Sequence, residues 1–381
     1  MQSTLLTVRR FSTTARRLNG PVAPFRSGMD NHGKGAVTFD RNFPVHRQPK
    51  AWEKDRESKD SWFRRKHAHH HAREKKLAKQ KQGPVPTKSQ SLRKTISQLK
   101  MDPLVDYLYG TNPVLAALKA QRRDSFGSLF IHNPKESEKL VEILSLAKQL
   151  EIPVKSEYTK HDLNLMTNNG VHNGIVLETR PLEVEQLRML GDASTETYSI
   201  VKEQFGARET VSATTIADRY PLALYIDEVS DPHNMGAILR SAYFLGVDFT
   251  IISERNCAPL SPVVSKTSSG ALEFMPIFSS QKPLRLFEES REQAWTIISS
   301  VAPHEAARMP NKQLDAESLK EQLAKGPCML VVGSEGEGVR KSLLQRSDWV
   351  VSLESGRADL DGSVDSLNAS VATALLLAKF L

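Results

Sequence analysis

The sequence predicts an α/β protein with two folded units behind a basic N-terminal quarter. Short apolar runs of strand length, such as Leu222–Ile226, alternate with amphipathic segments of helical period, such as Glu136–Leu150. A polar stretch, 181–219, separates the two regions that show this alternation. We therefore expect a small α/β domain over 102–180 and a second α/β domain over 220–381.

Residues 1–28 have the composition of a mitochondrial transit peptide. They contain five arginines, several serines and threonines, and no acidic residue before Asp30. Leu5, Val8 and Phe11 can share one helical face, and no continuous apolar core of the secretory type is present. This pattern predicts import into the mitochondrial matrix. An ordinary basic, disordered tail is the alternative.

Residues 29–98 are expected to form a basic, disordered arm. Residues 1–100 carry 24 Lys and Arg against 7 Asp and Glu, whereas the rest of the chain is acidic. A basic arm on an acidic body favours attraction to RNA, although a solvated linker would have the same composition. The histidines at 67 and 69–71 stand among Lys and Arg that would repel a cation, so we predict no metal site.

The first α/β domain is predicted from five segments that alternate in period. These are a helix at Asn112–Gln121, a strand at Ser128–His132, a helix at Glu136–Leu150, a strand beginning at Pro153 and a strand at Gly174–Glu178. Residues 181–219 are polar and are expected to be an interdomain linker, partly helical.

The second domain begins at the Leu222–Ile226 strand, whose unbroken apolar run is typical of a strand buried on both faces. Its other predicted elements are a helix at Ala237–Phe244, strands at Phe249–Ile252 and Met329–Val332, and a final helix from Asn368. No apolar run reaches membrane-spanning length, so we predict no membrane insertion. Cys257 and Cys328 do not make a disulfide scaffold, which favours a reducing compartment.

Residues 226–248 form the first segment that carries candidate functional residues. Asn234 follows a strand that ends in acidic residues, Gly236 stands at the predicted helix start, and Arg240 lies on that helix. We expect Arg240 to face the N-terminal end of the helix, where a cation is unfavourable and a phosphate would compensate. The alternative is an ion pair with Asp227 or Glu228.

Two further segments carry candidate residues. In the second, a buried strand leads directly into Gly333, Glu335 and Gly336, and glycines allow a ligand to approach the backbone closely. In the third, Ser366 and Asn368 precede an Ala-rich helix, where either residue alone would be interpreted as an N-cap.

In this order, the three segments resemble the signature motifs of the SpoU family of RNA ribose methyltransferases, within the SPOUT superfamily. The matches are Asn-x-Gly-x-x-x-Arg from 234 to 240, Gly-x-Glu-Gly from 333 to 336, and Ser-Leu-Asn-x-Ser-Val-Ala from 366 to 372. In the first domain, YGTNPVLAALKA (109–120) and GVHNGIVLE (170–178) resemble the RNA-substrate-binding domain of this family.

The resemblance implies a trefoil-knotted C-terminal domain that binds S-adenosylmethionine without a metal. Gly333, Leu353 and Leu367 would contact the cofactor, with Gly336 nearby. One departure from the family pattern is the polar Glu354–Ser355 followed by the inserted stretch Gly356–Gly362, and Ala302–Lys325 is expected to be a second, surface insertion. The resemblance also implies a homodimer whose active site uses both subunits, and we expect the helix around Leu375–Leu377 to contribute to it.

The resemblance implies a role for each remaining candidate. Arg240 would carry the chemical step; an arginine stays protonated near neutral pH, so holding a phosphate and stabilising a developing alkoxide suits it better than acting as a base. Residues Glu335 and Asn368 would orient Arg240 and the substrate. Asn234 would shape the turn, and Ser366 would bond the nucleotide.

The chain is similar to fungal mitochondrial members of the family, which implies a guanosine in the peptidyl-transferase region of mitochondrial large-subunit rRNA as the target. Two alternatives remain: a base methyltransferase of the same superfamily, and a non-catalytic mitochondrial ribosome assembly factor.

Overall fold

The computed structural model describes residues 54, 58–66, 102, 104–204, 207–216, 219–357 and 366–381. Residues 1–90 and 91–381 form two separate units. In the first unit, helix α1 covers Lys59–Lys66. The predicted transit peptide, 1–28, lies outside the described residues, as does most of the predicted arm. Within the described ranges, no helix is both long enough and apolar enough to cross a membrane.

The first domain of the second unit is built on a four-stranded sheet with the order β1-β4-β2-β3. Its elements are β1 (Asp106–Tyr109), α2 (Thr111–Ala120), β2 (Phe126–Ile131), α3 (Glu138–Gln149), β3 (Val154–Lys155), α4 (Lys160–Met166) and β4 (Ile175–Thr179). The five predicted segments are confirmed within two residues at each end that was specified. β1 and α4 were not predicted; α4 begins with a capping box in which Thr159 and Asp162 bond each other's backbone N–H groups.

The segment expected to be a partly helical linker forms three strands instead. They are β5 (Glu185–Ala193), β6 (Thr197–Gln204) and β7 (Ala207–Thr214), an antiparallel meander. Tyr198 and Ile200 alternate with polar residues and are buried, so one face of the meander joins a hydrophobic core. Trp295 also fixes β5, because its indole N–H donates to the carbonyl of Gly191 at 2.8 Å.

The meander extends a ten-stranded sheet with the order β12-β14-β11-β13-β8-β9-β10-β5-β6-β7. All pairs from β12 to β5 are parallel. The remaining strands are β8 (Leu222–Ile226), β9 (Phe249–Ser253), β10 (Ile277–Ser280), β11 (Thr296–Ser300), β12 (Gln313–Leu314), β13 (Cys328–Val332) and β14 (Trp349–Val351). The α-helices are α5 (Pro232–Leu245), α6 (Pro262–Thr267), α7 (Ala271–Phe274), α8 (Pro283–Glu292), α9 (Pro303–Ala306), α10 (Leu319–Lys325), α11 (Lys341–Leu344) and α12 (Ala369–Phe380).

Helices cover both faces of the parallel part of this sheet. Leu224 of β8 belongs to the core that includes α5 and α12, whereas the adjacent Tyr225 belongs to the core that includes α8 and α11. Every residue of β8 is therefore buried, as the apolar run predicted. The two cysteines are free, and burial raises the pKa of the Cys328 thiol to about 12.

A buried ion pair joins the two domains. The Arg123 guanidinium donates to both carboxylate oxygens of Glu273, at 2.9 and 2.8 Å, and both side chains are almost fully buried. Arg123 also donates to Asp106 at 3.1 Å, and Ser265 donates to Glu273 at 3.0 Å. Because a buried charge without its partner is strongly unfavourable, this network fixes the first domain on the second.

Candidate active site

A cavity of about 920 Å³ opens where the parallel strands β11, β13 and β14 end. The carboxyl ends of parallel strands are the usual position of ligand sites in α/β sheets. Its wall comes from four segments, 300–305, 332–338, 353–356 and 366–376. The second and fourth contain the second and third sequence motifs, so the fold brings these two motifs to one cavity.

The glycine-rich segment after β13 folds back on itself. Ser334 and Gly338 exchange backbone hydrogen bonds of 3.2 and 3.0 Å. A Cβ atom at Gly333 would lie 2.1 Å from the carbonyl carbon of Gly338, so only glycine fits there. A Cβ at Gly336 would meet nothing within 4 Å, so its backbone borders open space in the cavity.

Three side chains, one from each motif, form a hydrogen-bonded cluster at the edge of this cavity. The Asn368 amide donates to Glu335 Oε1 at 3.0 Å and to Asn234 Oδ1 at 3.1 Å, and the Asn234 amide also donates to Glu335 Oε1. Asn368 Oδ1 accepts from the backbone of Ser370, so Asn368 is an N-cap as well as a member of the cluster.

Arg240 lies apart from this cluster. It is the ninth residue of α5 and is exposed, more than two turns from the helix N-terminus. The expectation that it stands near that terminus is wrong, because α5 begins at Pro232, five residues earlier than predicted, and the helix dipole acts only within the first turn. Across the ranges that the structure describes, no side chain forms a hydrogen bond or an ion pair with Arg240.

The alternative partners of Arg240 belong to a different arginine. Arg340 Nε donates to both oxygens of the buried Asp227 at 3.0 Å, and Arg340 Nη1 lies 3.5 Å from Glu228. These bonds raise the pKa of Arg340 and tie the end of the glycine-rich segment to the end of β8. This pair was not predicted from the sequence, although a strand of buried residues followed directly by Asp227 is the signal that could have indicated it.

The proposed cofactor contacts and both insertions meet at the cavity. Leu353, Ser366 and Leu367 line it together with Gly333 and Gly336. The polar insertion takes part through Glu354–Gly356, whereas residues 358–365 lie outside the described part of the chain. The expectation that Ala302–Lys325 is only a surface excursion is wrong at its start, because Ala302–Glu305 also form cavity wall. They follow β11, a central strand that the sequence analysis did not identify.

The donor set suits a nucleoside that carries a charged group. Leu353, Leu367 and Leu376 provide apolar wall for an aromatic base, while the glycine-rich backbone can offer polar groups without side-chain obstruction. These residues fit S-adenosylmethionine. In the described ranges, no three His, Cys, Asp or Glu side chains are grouped to hold a metal ion.

Exposed apolar side chains lie on α5, one turn from Arg240, and on α12, which packs against α5. Phe244, one turn after Arg240, is 86% exposed, and Val371 and Leu375 on the adjacent α12 are 47% and 46% exposed. Leu376 and Leu377, expected to face a partner, are instead buried in the chain's own core. We therefore predict a subunit interface at Leu375 and the other exposed apolar residues, Val371 and Phe244.

Comparisons with known proteins agree with this architecture. The model of the SpoU rRNA Methylase family matches residues 221–378, that of the RNA 2′-O ribose methyltransferase substrate-binding domain matches 107–185, and that of the MRM1 N-terminal domain matches 4–103. The mitochondrial rRNA methyltransferase 1 of Saccharomyces cerevisiae is 40% identical over 91% of this chain and 92% of its own length.

A bacterial relative and a solved structure extend the comparison. The 23S rRNA (guanosine-2′-O-)-methyltransferase of Pseudomonas putida is 28% identical, covering 72% of this chain and 94% of its own. The crystal structure of an AdoMet-bound rRNA methyltransferase from Sinorhizobium meliloti superposes with a TM-score of 0.53 at 17% identity, over 78% of this chain and 96% of that one. This likeness supports the fold.

Proposed function

Because the chain belongs to the SpoU rRNA methylase family, we propose that it methylates the ribose 2′-hydroxyl of a guanosine in mitochondrial large-subunit rRNA, in the peptidyl-transferase region. The observation that carries the proposal is the Asn234–Glu335–Asn368 cluster at the edge of the cavity. One residue of each motif contributes to it, so the motifs act as a single site.

The cavity would hold S-adenosylmethionine between the glycine-rich segment and the apolar wall. Gly333 and Gly336 would present backbone groups, and Leu353 and Leu367 would contact the nucleoside part. When bound, the cofactor supplies a methyl group on a sulfonium centre. Close placement of the nucleophile and donor in this enclosure replaces an encounter in solution.

The chain's own residues would place and activate the ribose. Glu335, which accepts from both amides, holds Asn234 and Asn368 in one arrangement beside the cavity. Ser366, which lines the cavity wall, would bond the nucleotide. Arg240 would hold a target phosphate and stabilise negative charge as it develops on the 2′-oxygen.

We propose that the enzyme is a homodimer in which Arg240 serves the cavity of the second copy. Arg240 does not line the cavity of its own chain and has no partner among the described residues. It lies one turn from the exposed Phe244 on α5, so a second copy that covers Phe244 would also contact Arg240.

The remaining expectations stay predictions. They are the trefoil knot of the C-terminal domain, the transit peptide at 1–28, the basic arm at 29–98, the division at 102–180 and 220–381, and the matrix location. The mitochondrial relative supports a mitochondrial location.

Methyl transfer by the full chain tests the proposal directly. Purified protein, labelled S-adenosylmethionine and unmodified mitochondrial large-subunit rRNA should give labelled RNA in which one phosphodiester resists alkaline cleavage, because a 2′-O-methyl group removes the nucleophile for that cleavage. Label without a resistant bond would indicate a base methyltransferase. RNA binding without transfer would indicate an assembly factor.

A further inference from the structure

The junction between the two domains contains a lysine in an unusual setting. Lys266, near the C-terminal end of α6 in the second domain, projects against Tyr109 and Gly110 of the first domain. Its Nζ lies 6.0 Å from the centre of the Tyr109 ring, on the ring face. A Cβ at Gly110 would lie 2.5 Å from the same Nζ, so the glycine leaves room for the amine.

Both motif segments of the first domain contribute residues to this contact. Tyr109 and Gly110 belong to the 109–120 segment. Gly170, from the 170–178 segment, touches the other partner of the contact, since a Cβ there would lie 2.6 Å from the Tyr109 ring. The two segments that resemble an RNA-binding domain therefore meet at Tyr109, the ring that Lys266 faces from the second domain.

A second lysine, Lys139, is linked to the same domain junction through the side-chain amide of Asn112. Lys139 Nζ donates to Asn112 Oδ1 at 2.8 Å, and Asn112 Nδ2 donates to Ser269 Oγ, also at 2.8 Å. Ser269 lies three residues after Lys266. The bridge thus spans the domain boundary and fixes Asn112 in the first turn of α2 beside Lys266.

The local charge is positive and uncompensated. None of the carboxylates within the described ranges forms an ion pair with Lys266, and burial lowers the pKa of its amine. Burial lowers the pKa of the nearby His172, and the charges of Lys160, His132 and Lys266 lower it further. α2 begins at Thr111, directly after its N-cap Gly110, with no acidic residue in its first turn, so Lys266 stands at a helix terminus that disfavours a cation. An anion here would relieve each of these costs.

We infer that this junction is a binding site for a phosphodiester of the RNA substrate, held by Lys266 with Tyr109 and Asn112 beside it. This inference rests on the proposed function and deepens it. Lys266 belongs to the methyltransferase domain, so the substrate-binding surface extends beyond residues 107–185 and crosses the boundary between the domains. A structured or single-stranded RNA segment, with its spaced phosphates and bases, suits a lysine set against an aromatic ring.

The junction is mechanically connected to the active site. Thr267, which follows Lys266, has its hydroxyl oxygen 3.3 Å from the carbonyl oxygen of Pro232 at the start of α5. A Cβ at Gly236 would overlap the Thr267 side chain, so α5 and α6 approach closely at this point. Asn234 lies in the same first turn of α5 and bonds Glu335. A phosphate held by Lys266 would therefore fix RNA relative to the Asn234–Glu335–Asn368 cluster.

The test compares Lys266→Ala with Lys325→Ala in the full-length protein. Lys325 is an exposed lysine at the end of α10, far along the chain from both motif segments, and its removal changes net charge equally. The probe is transcribed mitochondrial large-subunit rRNA, bound at several salt concentrations. Lys266→Ala should lower the slope of log affinity against log salt by about one and weaken binding roughly three- to tenfold. Lys325→Ala should leave the slope at the wild-type value.

Five further readouts distinguish RNA positioning from a structural role. In Lys266→Ala, KM for RNA should rise while kcat, cofactor affinity and melting temperature stay at wild-type values, and Lys266→Arg should recover most of the slope. A wild-type slope in Lys266→Ala would overturn the inference, and so would parallel losses of cofactor affinity and melting temperature. If the wild-type protein binds RNA but transfers no methyl group, the proposed function fails, while the salt slopes still test Lys266.

Inorganic phosphate provides the second probe, at ionic strength matched with chloride. A site for free phosphate would give a saturable, Lys266-dependent rise in melting temperature while the RNA salt slope stayed unchanged. That result would overturn the assignment to RNA. No such rise at millimolar phosphate, together with the reduced slope, supports it.

Discussion

The cavity and the exposed face of α5 both carry residues of the sequence motifs. At the cavity these residues have bonding partners within the described chain, whereas on α5 the motif arginine has none. At the cavity, Asn234, Glu335 and Asn368 bond one another across three segments. On α5, Arg240 has no partner in the described ranges and lies beside exposed apolar side chains. A side chain whose partners lie within the chain is recognised by its bonds. A charged side chain whose partner is RNA or a second copy of the chain is recognised because no group within its own chain compensates its charge.

The largest test of this comparison is Arg240→Ala. We expect the variant to fold and to bind S-adenosylmethionine, because Arg240 contributes neither to the core nor to the cavity wall. Turnover should fall at least ~100-fold, the scale for removing one charged donor from a reaction site. Arg240→Lys should recover little, since a lysine cannot reproduce the planar guanidinium fork. Single-turnover methylation and a thermal melt with cofactor measure the two properties.

Arg285→Ala is the matched control. Arg285 is an exposed helical arginine on α8 whose one ion pair among the described residues is with Glu289, so its loss should leave turnover unchanged. Near-normal methylation by Arg240→Ala would show that Arg240 takes no part in the chemical step. Its charge would then be that of an ordinary surface residue.

The second test asks whether Arg240 acts in the other subunit. Arg240→Ala has an intact cavity, and Gly336→Val has an intact Arg240. Dimers that contain one chain of each variant should regain activity, because the cavity of the first chain receives the arginine of the second. Random exchange should restore about a quarter of wild-type activity, since half of the chains pair with the other variant and each mixed dimer has one complete site.

Activity that stayed at the level of the single variants after exchange would place Arg240 in its own chain's site. The exchange itself is monitored by mass on chains with different tags. A protein that is monomeric at micromolar concentration yet fully active would contradict the dimer proposal altogether.

The third test addresses the cavity alone. Gly336→Val should weaken S-adenosylmethionine binding at least about tenfold, because a branched side chain would occupy the open space that the Gly336 backbone borders. Within the described ranges, no atom lies within 4 Å of a Cβ at Gly336, so the melting temperature without cofactor should stay near the wild-type value. Calorimetry with cofactor alone measures the affinity.

Gly326→Val serves as its control. Gly326 also borders open space, at the end of α10, but its φ of 178° is extended backbone that valine tolerates, and it does not line the cavity. Wild-type affinity in Gly336→Val would refute the assignment of the glycine-rich segment.

How much the sequence could predict follows from where each residue finds its partners. Apolar runs such as Leu222–Ile226 predicted buried strands, and the motif spacing predicted which segments would share a site. The meander β5–β7 was missed because only alternate residues, such as Tyr198 and Ile200, are buried, and charged residues on the other face gave the segment a linker's composition. The cavity wall at Ala302–Glu305 depends on the strand order, which no local pattern contains.

The position of Arg240 shows a different limit. The helix-dipole argument required a helix that begins near Gly236, but Asp231 caps α5 and Pro232 begins it. The same physical argument applies at Lys266, where the helix terminus comes from a different domain. Local sequence can predict a helix end, but only the fold determines which distant cation stands beside it.

The smallest expected effect is a dependence of stability on pH that arises on the RNA-binding side, at His172. This ring is 6% exposed; the Gly174 N–H donates to its Nδ1 at 2.9 Å, and its Nε2 lies 3.0 Å from Asn164 Oδ1. Nδ1 is therefore an acceptor and Nε2 carries the proton. Burial is the main cause that lowers the pKa of His172, followed by the charges of Lys160 and His132 and then Lys266.

Since the folded pKa of His172 lies below the unfolded value of about 6.5, the unfolded chain binds a proton first as pH falls. The stabilisation is fully present above about pH 6.5 and is lost progressively below it, down to the folded pKa. We expect the free energy of unfolding to fall between pH 7.5 and 5.5 because of this group, with a slope of at most about 1.4 kcal/mol per pH unit. Urea unfolding of His172→Gln should show a correspondingly flatter profile, because glutamine can bond both neighbours without titrating.

The exposed His304 provides the control, since His304→Gln should keep the wild-type profile. An identical pH dependence in His172→Gln and the wild type would contradict the lowered pKa of His172 in the folded protein, and the charge of Lys266 would then have no measurable effect on the titration of this ring.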